Sequence, residues 1–310
     1  MNADNRSLPL IDQDAGRRPL VFERIGIVGL GLMGGSLALA ARKTWPTALV
    51  IGVDRKDVLE SAVVLHAIDV GAQDLDIIGE ADLVVLAAPV EENMRLLPHL
   101  SYYLEKPVVV TDVSSTKRAI VEAARALPPH ITFVGGHPVA GSARSGIRAA
   151  RAEIFDGRRW LFTPDPEAEG ESARAALERL ERFVEALGAV PGTIDAAGHD
   201  RVMALVSHLP QLVASAIMEV VGIAAGEEGL SLSGTGLGDT TRLASSDATM
   251  WAGICRTNTG EIREAMTLLI DRLSELRERL DEPGKVEQLF AAASGWRRLL
   301  DEKTGKATRE

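Results

Sequence analysis

Cysteine is almost absent from this chain. Cys255 stands alone, which excludes an internal disulfide and fits a reducing, cytoplasmic setting. A lone cysteine in an apolar helical stretch reads as a small buried hydrophobe, not a nucleophile. Long basic runs are also lacking. With a net charge of −10 and dispersed Lys and Arg residues, the chain offers no footprint for nucleic acid or an anionic membrane. An anionic substrate would have to be met by a few local arginines. The six histidines are scattered and have no cysteine partners, so no metal site is expected. Repeats and low-complexity tracts are missing, and no lysine occurs between Lys117 and Lys285. The apolar run at residues 25–41 falls short of the roughly 20 residues a membrane span needs, and glycines interrupt it. The segment before it carries Asp4, Asp12, Asp14 and Glu23 in place of a positively charged leader. Residues 1–21 therefore read as a flexible polar tail.

What is present is organised around residues 24–40. Residues 25–28 form a short buried strand, and a helix rich in Ala and Leu follows from Leu37. Between them Gly29, Gly31 and Gly34 are spaced G-x-G-x-x-G, with Leu32 and Met33 in the same turn. Gly29 permits the tight turn, Gly31 lets backbone approach a pyrophosphate, and Gly34 lets helix and strand pack closely. The helix N-terminus then offers free N–H groups to phosphate. The next strand, residues 48–53, ends at Asp54 and Arg55, about where a dinucleotide site places an acid for the ribose hydroxyls, roughly 20 residues on.

The alternation continues. Helices are expected at residues 58–67, 91–104 and 118–127, and strands at 82–88, 108–111 and 131–134. Two further strands, 160–163 and 188–194, flank a helix at 172–187. Short apolar strands separated by helices argue for a parallel sheet covered on both faces, a Rossmann-type α/β domain. From Asp195 the strands cease, and long apolar helices are expected at 195–225, 240–256, 260–280 and 286–300. Helices this apolar exceed what one small layer buries, so they should pack between subunits as a homodimer. The resulting division is a tail at 1–21, a dinucleotide-binding domain at 22–194, and an all-α substrate and dimerisation domain at 195–310.

In an open parallel sheet, ligands bind at the carboxyl ends of the strands. The glycine loop, Ala88-Pro89, Ser114-Ser115-Thr116-Lys117 and His137-Pro138 converge there. His137 is the only histidine placed in such a loop, and Ser114 or Ser115 should cap the helix that follows. In the helical half, Asp200, Ala204, Ser207 and Gln211 share one helix stripe, as a substrate site or as a polar seam between helices. Asp239 reads as the N-cap of the next helix. Arg242 in its first turn would oppose the helix dipole, so either a substrate carboxylate or an ion pair with Asp239 or Asp247 would explain it.

These motifs together resemble the prephenate/arogenate (cyclohexadienyl) dehydrogenases of tyrosine biosynthesis. The match runs through Gly29-Leu-Gly-Leu-Met-Gly-Gly-Ser36, Asp112-Val-Ser-Ser-Thr-Lys117 and Gly135-Gly-His-Pro-Val-Ala-Gly-Ser142. It continues through Val206-Ser-His-Leu-Pro210, Asp239-Thr-Thr-Arg242, Ser246-Asp247 and Met250-Trp251. The resemblance implies oxidative decarboxylation of a cyclohexadienyl acid with a nicotinamide cofactor. It implies His137 as the catalytic base, Ser115 as the serine that orients it, and Arg242 as the reader of a substrate carboxylate. Ser207 and Gln211 would face substrate, and the product tyrosine is a candidate inhibitor at the active site. Asp54 would repel a 2′-phosphate, so NAD is expected over NADP, with Arg55 softening the preference. The chain departs from many prephenate-preferring members at Ala143-Arg144, where they carry Glu-Lys, and at Gln211, where they carry His. Two other readings are a hydroxyacid dehydrogenase of the 3-hydroxyisobutyrate type and a non-catalytic NAD-binding regulator. The lysine gap opposes the first, and the joint presence of His137, Ser207 and Arg242 opposes the second.

Overall fold

The structure is a computed structural model, and it describes residues 19–141, 144–168 and 170–304. Most of the expected tail lies outside the described residues, as do Ser142 and Ala143. Eight strands form one sheet: β1 (Arg24–Val28), β2 (Leu49–Val53), β3 (Val70–Ala72), β4 (Leu83–Leu86), β5 (Val108–Asp112), β6 (Ile131–Pro138), β7 (Arg159–Thr163) and β8 (Val190–Thr193), in the order β3-β2-β1-β4-β5-β6-β7-β8. The first six are parallel; β7 runs antiparallel to β6, and β8 is parallel to β7. The short edge strand β3 was not anticipated, because Val-Gly-Ala on an exposed edge carries too little apolar signal.

The parallel strands are buried on both faces, which explains their unbroken apolar runs. Ile25, Ile27, Leu83 and Val85 point into one layer with helices α1 (Leu32–Thr44) and, later in the chain, α5 (Glu171–Ala186). Val28, Val84, Leu86 and Val110 point into the other layer, where Ile120 and Ala124 belong to α4 (Arg118–Ala124). Helix α2 (Lys56–Val64) is shorter than the expected 58–67 at its C-terminal end. The helix expected at 91–104 instead stops as α3 (Val90–Leu96) and continues as a tighter 3₁₀ turn through Leu97–Tyr102. Pro98 lacks the N–H an α-helix needs there.

The expected helix from 195 is divided into α6 (Ala196–Met203), a π-helical turn (Ala204–His208) and α7 (Leu209–Ser231). Pro210 enters α7 at its first turn, where a missing N–H is tolerated. Helices α8 (Thr235–Thr241) and α9 (Ala248–Thr257) replace the single helix expected at 240–256. The chain separates into two compact units, 1–259 and 260–310. Helices α6 to α9 thus belong with the sheet, while the second unit holds nearly all of α10 (Thr259–Glu278) and α11 (Lys285–Thr304). Exposed apolar side chains line both sets, among them Val220, Ile223 and Leu232 in the first and Leu273, Phe290 and Trp296 in the second. By length and composition, Ala196–Ser231 would pass for a membrane span, but the π-helical turn and a left-handed Gly226 (φ 64°) interrupt it.

The glycine loop shows its two separate roles. A Cβ on Gly34 would lie 1.9 Å from the Gly29 carbonyl oxygen, so helix and strand could not keep their approach. A Cβ on Gly31 would meet nothing within 4 Å and would project into open space. Gly34→Ala is therefore expected to cost about 1–3 kcal/mol of stability through overpacking. Gly31→Ala should melt like the wild type while weakening dinucleotide binding. Thermal denaturation and NAD titration of the two variants check the contrast.

Candidate active site

The first turn of α1 has no side-chain cap, so its N–H groups remain available at the glycine loop. Gly29 takes φ +95°, where L side chains are strained, and any Cβ there would strike the Ala88 backbone nitrogen at 2.6 Å. Asp54, just past β2, accepts hydrogen bonds from the Leu30 N–H (2.6 Å) and the Arg55 N–H (2.7 Å). Its carboxylate therefore braces the glycine loop and is half-exposed beside it. Leu32 and Met33 open α1, and Pro89 precedes α3 at the end of β4. A bare cradle at Gly31, free helix N–H groups and an acid after β2 fit a dinucleotide.

Across the sheet, β6 extends to Pro138, so His137 is a strand residue, not the loop residue expected. The antiparallel return of β7 prolongs β6 by pairing His137 with Leu161. The residue is only 9% exposed. Its Nδ1 lies 2.9 Å from His199 Nε2, and His199 Nδ1 lies 2.8 Å from Asp200 Oδ1. A carboxylate can only accept, so His199 Nδ1 carries the proton and donates to Asp200. His199 Nε2 then accepts from His137 Nδ1–H. That leaves Nε2 of His137 as the basic nitrogen.

Asp200 does more than end this chain. Its Oδ1 accepts from the Lys117 N–H (2.7 Å) and its Oδ2 from the Arg118 N–H (2.9 Å), capping α4. The cap expected from Ser114 or Ser115 thus comes from Asp200, 83 positions beyond the Lys117 N–H it accepts from. Ser114 is freed to receive Asn93 Nδ2 (3.0 Å), and Ser115 faces the cavity. Lys117 is fully buried and donates to the Asp112 carboxylate and, at 2.7 Å, to the Gly136 carbonyl. Asp112 also accepts from the Gly136 N–H (2.9 Å), so the pair fixes the backbone that carries His137. Burial lowers the Lys117 pKa despite the Asp112 charge that opposes the shift. Burial, reinforced by His199, Lys117 and His208, drives the His137 pKa well below its usual value. A neutral base results.

His137 and Ser115 open onto a cavity of about 360 Å³, walled by Met203, Ser207, His208, Met250, Trp251 and Ile254 on the helical side. Ser207 thereby lines the same cavity as His137, whereas the sequence left it open between a substrate site and a polar seam. Gln211 is not in the lining. Its Nε2 donates to the Leu243 carbonyl (2.7 Å) and its Oε1 accepts from Ser246 (3.2 Å), so it serves the polar seam between α7 and the turn after α8. Arg242 is also absent from the lining among the described residues and is exposed. The helix boundary explains the difference: α8 begins at Thr235, so Asp239 is inside it and is no cap. Arg242 follows its last turn, where a cation is favourable, and Asp247 caps α9 by accepting from the Met250 N–H (2.8 Å). From sequence, Asp112 and Lys117 carry no role beyond membership of a motif, His199 is not singled out, and Asp200 is only one member of a polar stripe. Among the described residues no cluster of three His, Cys, Asp or Glu side chains could hold a metal.

A strand order of 3-2-1-4-5-6 with a glycine cradle, an acid after β2 and a buried neutral histidine defines a dinucleotide-dependent dehydrogenase. The comparisons narrow the class. The family model described as "Prephenate dehydrogenase, nucleotide-binding domain" matches residues 37–191, and that described as "Prephenate dehydrogenase, dimerization domain" matches residues 195–293. The chain belongs to the prephenate dehydrogenase family. It is 33% identical to the prephenate dehydrogenase of Bacillus subtilis (strain 168) over 285 residues, 86% of this chain and 72% of the relative. It is 30% identical to the cyclohexadienyl dehydrogenase of Zymomonas mobilis over 265 residues, 83% of this chain and 88% of the relative. A crystal structure of prephenate dehydrogenase from Aquifex aeolicus with hydroxyphenyl propionate and NAD⁺ superposes with a TM-score of 0.80 at 28% identity, covering 94% of this chain and all of that one.

Burial of uncharged imidazole has a cost in acid. Burial lowers the His208 pKa to about 4, with Asp200 opposing the shift and His199 adding to it. The unfolded chain takes up these protons near pH 6.5, while the folded chain does not. Stability is therefore expected to fall as pH drops from about 6.5 towards 4, by up to roughly 1.4 kcal/mol per pH unit for each such histidine. Denaturant unfolding across that range, with the slope reduced in His208→Asn, checks the sign and the source.

Proposed function

We propose that this chain is an NAD-dependent dehydrogenase that oxidatively decarboxylates prephenate, arogenate or both, in tyrosine biosynthesis. The observation that carries the reading is the His137–His199–Asp200 chain opening onto a cavity beside a dinucleotide cradle. The substrate ring bears a C4 hydroxyl opposite a quaternary carbon that holds a carboxylate. His137 Nε2 takes the hydroxyl proton, with Ser115 helping to orient the imidazole. His199, held by Asp200, keeps the reactive nitrogen unprotonated and the ring aimed. Bound NAD⁺ supplies the hydride acceptor. Carbon dioxide leaves from the quaternary carbon, and aromatisation makes the step irreversible. The enclosing residues Met203, Trp251 and Ile254 keep water from the ring.

Arg242 is retained as the reader of a substrate carboxylate, on the family motif Asp239-Thr-Thr-Arg242. The same reading divides the chain functionally at 194/195 and places a second copy of the chain on the exposed apolar faces of α7, α10 and α11. The dimerization-domain match at residues 195–293 supports that homodimer. A cytoplasmic location and inhibition by tyrosine at the active site accompany the proposal. Steady-state NADH formation with prephenate and with arogenate tests it directly, and no turnover of either would end it.

His137→Asn should lower kcat by about 10²- to 10⁴-fold. NAD affinity should stay near normal, because the ring acts on the substrate and not on the dinucleotide. The acid limb of the pH–rate profile should lie below pH 6.5, since the His137 pKa is depressed, and should vanish in the variant. Asp54→Ser should raise the use of NADP relative to NAD, read from kcat/KM for the two cofactors. Faster turnover of wild type with NADP would refute the role given to Asp54.

A further inference from the structure

The cavity that holds His137 has two cations in its wall, Arg151 and Arg158, and neither belongs to the family motifs read from the sequence. Both lie in the excursion between β6 and β7. The antiparallel pairing turns this excursion back on itself, so that the Val139 N–H donates to the Arg159 carbonyl (2.8 Å) two residues past His137. Arg158 is therefore held close to the base by sheet register, not by loop chance. Its backbone is pinned on both sides. The Arg158 N–H donates to the Phe155 carbonyl (2.9 Å), and the Arg158 carbonyl accepts from the Val190 N–H (2.7 Å). Gly157 before it takes φ +65° and donates to the Gly188 carbonyl (2.8 Å). Arg151 is anchored through its own N–H, which donates to Ser36 Oγ on α1 (3.0 Å).

Charge makes the placement informative. No Asp or Glu lines the cavity among the described residues. Many arginines here face a carboxylate at ion-pair distance, as Arg125 does Asp165 and Arg256 does Glu91. Arg158 has no such partner among the described residues, on a chain whose net charge is −10. A guanidinium left unpaired on a rigid backbone, in an acid-free wall next to the catalytic base, is suited to a carboxylate brought by the ligand.

We propose that Arg158, assisted by Arg151, binds the carboxylate on the substrate's three-carbon side chain. The proposal rests on the dehydrogenase reading and deepens it. The ring carboxylate is lost in the reaction, whereas the side-chain carboxylate persists in the product, so the two can be told apart. A pair of guanidiniums at the side-chain end also opposes an ammonium there. The site accordingly prefers the 2-oxo side chain of prephenate to the 2-amino side chain of arogenate.

The experiment uses the full-length enzyme with prephenate, arogenate and the product 4-hydroxyphenylpyruvate as a competitive inhibitor. Arg158→Gln should raise the KM for prephenate by about 10- to 100-fold, the range expected for one charge-assisted contact, with kcat changed far less. It should weaken product inhibition by a similar factor, because the product retains only the side-chain carboxylate. Arg158→Lys should recover only part of either loss. Arg151→Gln should narrow the preference for prephenate over arogenate. An unaltered NAD dissociation constant in each variant shows that the fold is intact. If KM and product inhibition are both unchanged in Arg158→Gln, the proposal is overturned. It is equally overturned if KM rises while product inhibition is unchanged, because Arg158 would then read the ring carboxylate. Wild-type inactivity towards both substrates would instead refute the dehydrogenase reading itself.

Discussion

The Asp200 carboxylate is the constraint on which the rest of the site depends. It accepts from two successive backbone N–H groups at the start of α4 and from the ring of His199. A buried carboxylate is costly unless its charge is met, and here a helix N-terminus and an imidazole meet it together. The two backbone hydrogen bonds tie the first helix of the all-α segment to the sheet domain. Asn258 at the end of α9 donates to the Asp200 carbonyl (2.9 Å), binding α9 to α6, and Thr116 meets Thr257 at 2.8 Å as a third tie to the sheet domain. Helices α6 to α9 are thus joined to the sheet through polar contacts gathered around the reactive histidine. This accounts for a compact unit that runs to Thr259 and does not stop where the strands end.

A second buried charge pair, Asp112 with Lys117, lies under the same histidine. Buried pairs of this kind add little net stability when compared with apolar residues of equal volume, but losing one partner strands the other. Their value here is positional. Asp112 and Lys117 hold both the N–H and the carbonyl of Gly136, leaving the next residue little freedom. The surface pairs contrast with them. Arg24–Glu80 and Arg279–Glu282 are well exposed, screened by solvent, and contribute little.

Much of the sheet was legible in the sequence because strands buried on both faces leave continuous apolar runs, and the glycine loop states its own turn. The site was legible in part. His137, Ser115 and Ser207 could be found because strand ends and a helix stripe bring them to one crevice. His199 could not, since its contact with His137 spans 62 residues and no local pattern announces it. Asp200 was visible only as a polar residue on an apolar helix, which does not say what it caps. For Arg242 only the place in the helix differs from the expectation, through a helix boundary. Asp239 looks like a cap, but Gly234 and Thr235 had already begun the helix, which reverses the sign of the dipole felt by the arginine. Gln211 has the chemistry of a ligand group, yet its amide is already occupied at both ends.

The reversal of chain direction between β6 and β7 separates two kinds of evolutionary freedom. The pairing of His137 with Leu161 fixes where the base stands, whatever the chain does between them. The excursion that leaves the ladder after Val139 rejoins it at Arg159, a neighbouring point. Its exposed charges can be exchanged without disturbing the reactive nitrogen or the relay behind it. A lineage can thus retune which acid it accepts by editing a single hairpin excursion, while the hydrogen-bonded machinery is inherited intact.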